Sequence, residues 1–319
     1  MTIYLLIVYA AIILVATAVV GIWSWQLTMR RRRMERMERL LSRRYMRIVT
    51  TVMLSELSQP TRFPMLDCRG ARETLAKVLA MVAQSVYGSD IEAVGRIVSE
   101  NGIDRWLLRQ VQRSRGFDRV YYMSLLAVLP LSGDIIEQAS GYAGDSNRFM
   151  RFYALLIRIG GDSSLALRAL SEYDSPLTEF EIAEIMALLK RGLLPVACEP
   201  LLTSANRNLQ LVGINIAKEF GVEEVMPLLL EVAATDRDRV VAKEALYALV
   251  MMHTSLIHPK IANSIRHFVA SERRSLCRCL AYEGYSASVL GYLLGDKEKS
   301  YAERLVATYK RRIVCTHQL

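Results

Sequence analysis

The sequence predicts an all-α protein: an α-solenoid of paired helices preceded by one transmembrane helix. Three observations predict it. Ile3 to Trp25 is an almost wholly apolar run of 23 residues, and no charged side chain falls between residues 3 and 29. Beyond it, apolar residues recur every three or four positions, with few alternating β-branched runs. Within those helical stretches one pattern returns every 29 to 32 residues. A chain of 319 residues that is 52% hydrophobic and 23% charged supports a substantial core and excludes a disordered protein.

The first element is the apolar run. A 23-residue helix is roughly 35 Å long, enough to span a hydrocarbon core with some tilt. Ala16-Thr17-Ala18 offers a cleavage-like site, but no Lys or Arg precedes the run and it exceeds the usual signal-peptide core. Positive charge comes only afterwards. Arg30, Arg31, Arg32, Arg33, Arg36, Arg39, Arg43, Arg44 and Arg47 face only Glu35 and Glu38, which accounts for +7 of a net +9. The positive-inside rule keeps that side in the cytoplasm, so the expected topology is a single-pass signal anchor, N-terminus out and C-terminus in. No later stretch suits a second span.

The pI of 9.4 therefore describes a collar and not the body, which removes the usual ground for nucleic-acid binding. Arg30, Arg31, Arg32, Arg33 and Arg36 are the candidate membrane-interface residues. They suit anionic lipid headgroups, at about 1 kcal/mol per basic residue, and a plain topology signal explains them equally well. The five cysteines, Cys68, Cys198, Cys277, Cys279 and Cys315, are odd in number and irregular in spacing. That excludes a disulfide framework and fits reduced thiols in cytosol.

The second element continues the first. Met34, Met37, Leu41, Tyr45, Ile48 and Val52 keep a helical period, so a helix is expected to run towards Leu57 with an arginine-rich opposite face. Pro60 and Pro64, with Ser58 and Thr61, then mark a hinge. The expected organisation is an anchor at 1–29, a basic juxtamembrane helix and hinge at 30–60, and a cytoplasmic solenoid at 61–319.

The repeat supplies the remaining elements. Its helices are aligned by Ile91, Val120, Met150, Phe180, Leu209 and Val241. Four residues later stand Gly95, Ser124, Ala154, Glu184, Gly213 and Ala245, small in five of six cases; seven residues later stand Val98, Ala127, Ile157, Ala187, Ile216 and Ala248. Offsets of 0, 4 and 7 share one helix stripe, and small residues on it let a neighbouring helix approach closely. A second helix is expected in each unit, capped by Asp104, Asp134 and Asp162 and then starting after Gly192 and Gly221. Pro200, Pro227 and Pro259 stand in its first turn in the later units, where the missing N–H costs little.

Segments such as "DRDRVVAKEALYALV" at 236–250 and "EEVMPLLLEVAATD" at 223–236 resemble HEAT repeats, especially the short bacterial type also found in phycobilisome lyases. The resemblance covers roughly residues 90 to 270. Glu184 at the small position departs from it and allows a slip of one residue in the unit at 177–190. The usual arginine one place after the start occurs only as Arg151. The resemblance implies a curved stack whose second helices line the concave face, and binding far more often than catalysis.

Catalytic chemistry finds little support. Asp236-Arg237-Asp238 spells the DxD of glycosyltransferases, but it falls between helices without a nucleotide-binding βα pattern, so helix capping is the better reading. Cys277 and Cys279, two apart on a helix, point about 200° from each other and cannot share an ion. The histidines at 253, 258, 267 and 317 lack metal-site spacing. Gly160-Gly161-Asp162-Ser163 lacks the phosphate-loop signature. No catalytic residue, cofactor or metal ligand is assigned, and the protein is expected not to be an enzyme.

Charge on the second helices is more informative. Arg105, Arg109 and Gln112 share one face at i, i+4, i+7, with Arg168 similarly placed two units later and Glu223, Glu224 and Glu231 further along. These are either a solvated face or a partner surface. Arg105, Arg109, Gln112 and Arg168 are the candidate partner-binding residues. The function expected is a scaffold on the bacterial cytoplasmic membrane whose solenoid binds a membrane-associated protein. An integral-membrane glycosyltransferase of exported-polysaccharide synthesis is the partner suggested by the resemblance. A HEAT-type enzyme or chromophore lyase, and a directly lipid-binding solenoid, are the alternatives.

Overall fold

Seventeen α-helices and two short 3-10 helices, with no strand, make up the described residues. The structure, a computed structural model, describes residues 2–54, 62–68, 70–161, 163–191, 197–235, 238–252 and 256–316. Within them, side chains are described except at 2–16, 27, 30, 31, 33, 163–165, 235, 296, 297 and 310–316. The chain forms two compact units, residues 1–157 and 158–319.

In the first unit, α1 (Thr2–Leu54) is one continuous helix, followed by α2 (Ala71–Ala83), α3 (Ser89–Glu100), α4 (Ile103–Arg113), α5 (Gly116–Val128), α6 (Gly133–Ser140) and most of α7 (Arg148–Gly161). Of the positions expected on the apolar face, Leu41 and Tyr45 are buried where α1 packs on α2, Ile48 and Val52 are half-buried, and Met34 and Met37 are exposed; Val49, outside that series, completes the buried contact. Part of the expected hinge, residues 55–61, lies outside the described residues. Pro64 does not swing free. Its carbonyl accepts a hydrogen bond from Tyr45 Oη at 2.9 Å, and the Phe63 ring meets Tyr45 edge-on at 5.5 Å. The two-residue link between α4 and α5 turns the chain back on itself, and Trp106 packs edge-on against Tyr122 at 5.9 Å.

The second unit holds α8 (Ser163–Glu172), α9 (Glu179–Arg191), α10 (Glu199–Leu202), α11 (Arg207–Phe220), α12 (Met226–Thr235), α13 (Arg239–Met251), α14 (Pro259–Arg266), α15 (Ala270–Tyr282), α16 (Ala287–Leu294) and α17 (Asp296–Thr316). Two rows of helices build it. α9, α11, α13, α15 and α17 stack in chain order, as do α10, α12, α14 and α16. Packing in sequential pairs within such rows is compatible with a repeat solenoid. The pairing is shifted by one helix from the expected unit: α12 packs most closely on α13, and α10 on α11. A left-handed Gly221 (φ 62°) and the 3-10 turn Glu223–Val225 separate α11 from α12, whereas few residues separate α12 from α13.

All six repeat positions fall near the starts of α3, α5, α7, α9, α11 and α13. Ala154, Gly213 and Ala245 are buried, and a Cβ on Gly213 would stand 2.7 Å from Leu201 Cβ, so α10 reaches α11 only because that side chain is missing. α9 departs by one residue. Phe180 is 56% exposed while Glu181 and Ile185 are buried, because Thr178 and Glu181 form a reciprocal capping box that fixes the helix start. Asp104 and Asp134 also differ from expectation: each is the second residue of its helix, behind Gly102 and Ser132 at the cap position. A carboxylate there still complements the positive helix end. Asp162 and Gly192 lie outside the described residues. Pro227 stands second in α12, Pro259 first in α14, and Pro200 in the first turn of α10.

Candidate functional site

Two surfaces carry residues for which a role is expected. The first is α1 itself. Among the described residues no helix is long and apolar enough to cross a membrane. The side chains of residues 2–16, most of the apolar run, lie outside the residues described, as do those of Arg30, Arg31 and Arg33. The remainder of the run is bare: Val19, Val20, Ile22, Trp23 and Trp25 are 58–65% exposed, and Arg32 and Arg36 are exposed beyond them. Among the described residues nothing buries these five side chains, whereas Leu41, Tyr45 and Val49 are buried where α2 and Phe63 meet α1.

Within the collar, α1 is clamped to the body. Lys77 Nζ of α2 donates to Glu38 of α1 at 2.8 Å and pairs with Glu73 at 3.2 Å. Tyr121 Oη of α5 donates to Glu73 Oε1 at 3.2 Å, with Lys77 Nζ 5.9 Å from the Tyr121 ring centroid. Burial alone would lower the Lys77 pKa, but Glu38 and Glu73 outweigh it and hold the ammonium above its ordinary range. Burial chiefly pushes the Tyr121 hydroxyl up to about 12, with Lys77 opposing and Glu73 adding. A groove of about 480 Å³ runs beside this clamp, lined by Glu35, Arg39, Ser42, Arg43, Val78 and Met81 among others.

The second surface is α4. Arg105, Arg109 and Gln112 are exposed on one face, as the spacing requires, and Arg109 Nε donates to the Arg105 carbonyl at 3.2 Å. The surface extends further than the sequence reading placed it. Arg113 continues the i, i+4 line, Arg115 stands in the turn, and Phe117 at the start of α5 is 82% exposed. Among the described residues none of these four arginines is in an ion pair. Arg119, by contrast, pairs with Asp145 at 2.9 Å and Arg72 with Asp67 at 3.7 Å. An i+8 continuation and a basic pair around Gly116 were the available signals for the extension.

Arg168, the fourth residue expected at a partner surface, lies on α8. Arg168 belongs to the second unit, where its Nε meets Glu172 at 2.8 Å, and Arg158 takes the other carboxylate oxygen at 2.8 Å. Arg158 first, then Arg168, hold the Glu172 carboxyl below its ordinary value. Glu223, Glu224 and Glu231 are exposed in that same unit.

The motifs set aside on sequence find structural places. Asp238 caps α13, accepting from Val240 N at 2.8 Å, and it pairs with Arg207 at 3.2 Å; Asp236 and Arg237 lie outside the described residues. Cys277 and Cys279 are on α15, and burial chiefly pushes the Cys277 thiol up to about 11, away from thiolate chemistry. Among the described residues no three His, Cys, Asp or Glu side chains group as metal ligands. Compared with protein-family models, with curated proteins and with solved structures, the chain matches none of them.

Proposed function

We propose that this protein is a membrane-tethered adaptor, anchored by the start of α1 and presenting its helical body to a protein partner on the cytoplasmic face. The observation that carries the reading is the contrast along α1. Among the described residues the end of its apolar run, Val19 to Trp25, is exposed, its middle is arginine-rich, and its last third is built into the body. Five large apolar residues more than half exposed on one helix are costly in water and ordinary in lipid. The Lys77 clamp makes anchor and first unit one piece, so the tether confines the α4 surface near the bilayer and raises its effective concentration for membrane partners.

The partner surface in this reading is α4 with its turn: Arg105, Arg109, Gln112, Arg113, Arg115 and Phe117. Cations spared from intramolecular pairing beside an exposed aromatic ring suit an acidic segment with apolar side chains. An integral-membrane glycosyltransferase of exported-polysaccharide synthesis is the partner class that the HEAT resemblance suggests. The reading assigns no catalysis. Affinity purification in mild detergent, with mass spectrometry, tests it: one stoichiometric membrane protein is expected with the parent and is lost with Arg105→Ala/Arg109→Ala. Recovery of no partner, or equal recovery with the double variant, contradicts this surface.

A further inference from the structure

We propose that a cleft in the second unit binds a small soluble molecule through a diphosphate group. The cleft, about 350 Å³, lies between α12, α13 and α14, within the size range of small-ligand pockets. Lys260, Asn263 and Ser264 line it from one face of α14 at i, i+3 and i+4, and His267, just past that helix, follows at i+7. Arg239, first residue of α13, faces them. Ala234, Ala242 and Phe268 supply the apolar part of the lining.

The lining is rich in donors. Among the described residues no carboxylate lines the cleft, and neither Arg239 nor Lys260 forms an ion pair there. Arg239 Nη2 donates to the His267 carbonyl, which orients the guanidinium and leaves its other N–H groups to the cleft. Asn263 Oδ1 is turned to Arg266 Nη1 at 3.5 Å, leaving its amide NH2 as a donor. Guanidinium, ammonium, amide and hydroxyl together offer more hydrogen bonds than one carboxylate accepts, and the several oxygens of a diphosphate match them.

The cations are also badly placed for the apo protein. Arg239 opens α13 and Lys260 is second in α14, positions where the helix dipole disfavours positive charge. Arg207, likewise first in α11, is neutralised by Asp238 at 3.2 Å. Among the described residues Arg239 has no such ion pair. A bound polyanion supplies the counter-charge.

Isothermal titration of the full-length protein in detergent with inorganic diphosphate tests the proposal. The expected result is saturable one-site binding that weakens about tenfold or more in Lys260→Gln and in Arg239→Gln and is unchanged in Arg278→Gln, a surface arginine of α15. Diphosphate should raise the melting temperature of the parent and not that of Lys260→Gln. Lys260 makes no described contact whose loss would unfold the protein, so that variant remains informative if Arg239→Gln fails to fold. Absence of saturable binding at about 1 mM diphosphate, or equal weakening by Arg278→Gln, overturns the proposal. So does retention on phosphatidic acid vesicles by a protein that ignores soluble diphosphate.

Discussion

Ala245 and Arg109 show how far a single side chain could be placed from sequence. Ala245 was read as a packing position from its spacing alone, and it is fully buried on α13, against α11 and α12. Ala245→Arg overpacks that seam and buries a charge, so a loss of roughly 3–5 kcal/mol is expected. Arg109→Ala, on an exposed face, should change stability by less than about 0.5 kcal/mol. Thermal melts of the two variants check the difference, and equal losses would mean that the helix faces are misassigned. Lys77 was not legible, because its partners Glu38 and Tyr121 belong to helices far away in the chain and only packing brings them together. Lys77→Ala should cost roughly 1 kcal/mol, since the lysine is partly exposed and the pair is screened. Its folded-state pKa is raised, so this contribution is full below the unfolded value of about 10.4 and is lost as pH rises through the higher folded value. Denaturant melts should therefore show a constant Lys77→Ala deficit from about pH 6 to about pH 9, shrinking only in stronger alkali. A deficit that disappears near neutrality would remove the clamp.

At the scale of elements, helix period and small-residue spacing were enough to locate the helices, because both are local. Pairing was not, since it depends on which turn is tight: α12 closes on α13 and not on α11. Nor was the frame of α9, where the Thr178–Glu181 capping box overrides the apolar pattern. Two glycines test the packing. A Cβ on Gly213 meets Leu201 Cβ at 2.7 Å and the Leu202 backbone N at 3.2 Å, so Gly213→Ala must push α10 from α11 and should cost roughly 1–3 kcal/mol. Gly291, inside α16 with only Lys299 Cγ at 3.9 Å, has room, and Gly291→Ala should gain about 0.5–1 kcal/mol. Opposite shifts in denaturation midpoint are the expected outcome. The junction of α1 and α2 gives another test. A chain beginning at Thr61 loses Leu41, Tyr45 and Val49 from the face of α2, whereas one beginning at Met34 keeps them. The longer chain should remain monodisperse in gel filtration and the shorter should aggregate or melt lower; equal behaviour would mean that the α1 contact contributes nothing.

For the whole molecule, helical period and composition were enough to expect an all-helical body, while a 23-residue apolar run followed by a one-sided arginine block is the ground for the anchor we propose. The cleft of α12 to α14 and the extension of the α4 surface to Phe117 were out of reach, as each depends on which side chains neighbouring helices leave uncovered. The central claim is that α1 holds the body on the cytoplasmic side of the membrane. Protease treatment of intact spheroplasts, followed by detection of the fragment beyond α1, tests it most directly. The account predicts that the membrane fraction keeps the body whole until the bilayer is opened with detergent, and that digestion then begins. Digestion of the body in intact spheroplasts would contradict it, placing the basic collar outside and the helices with it.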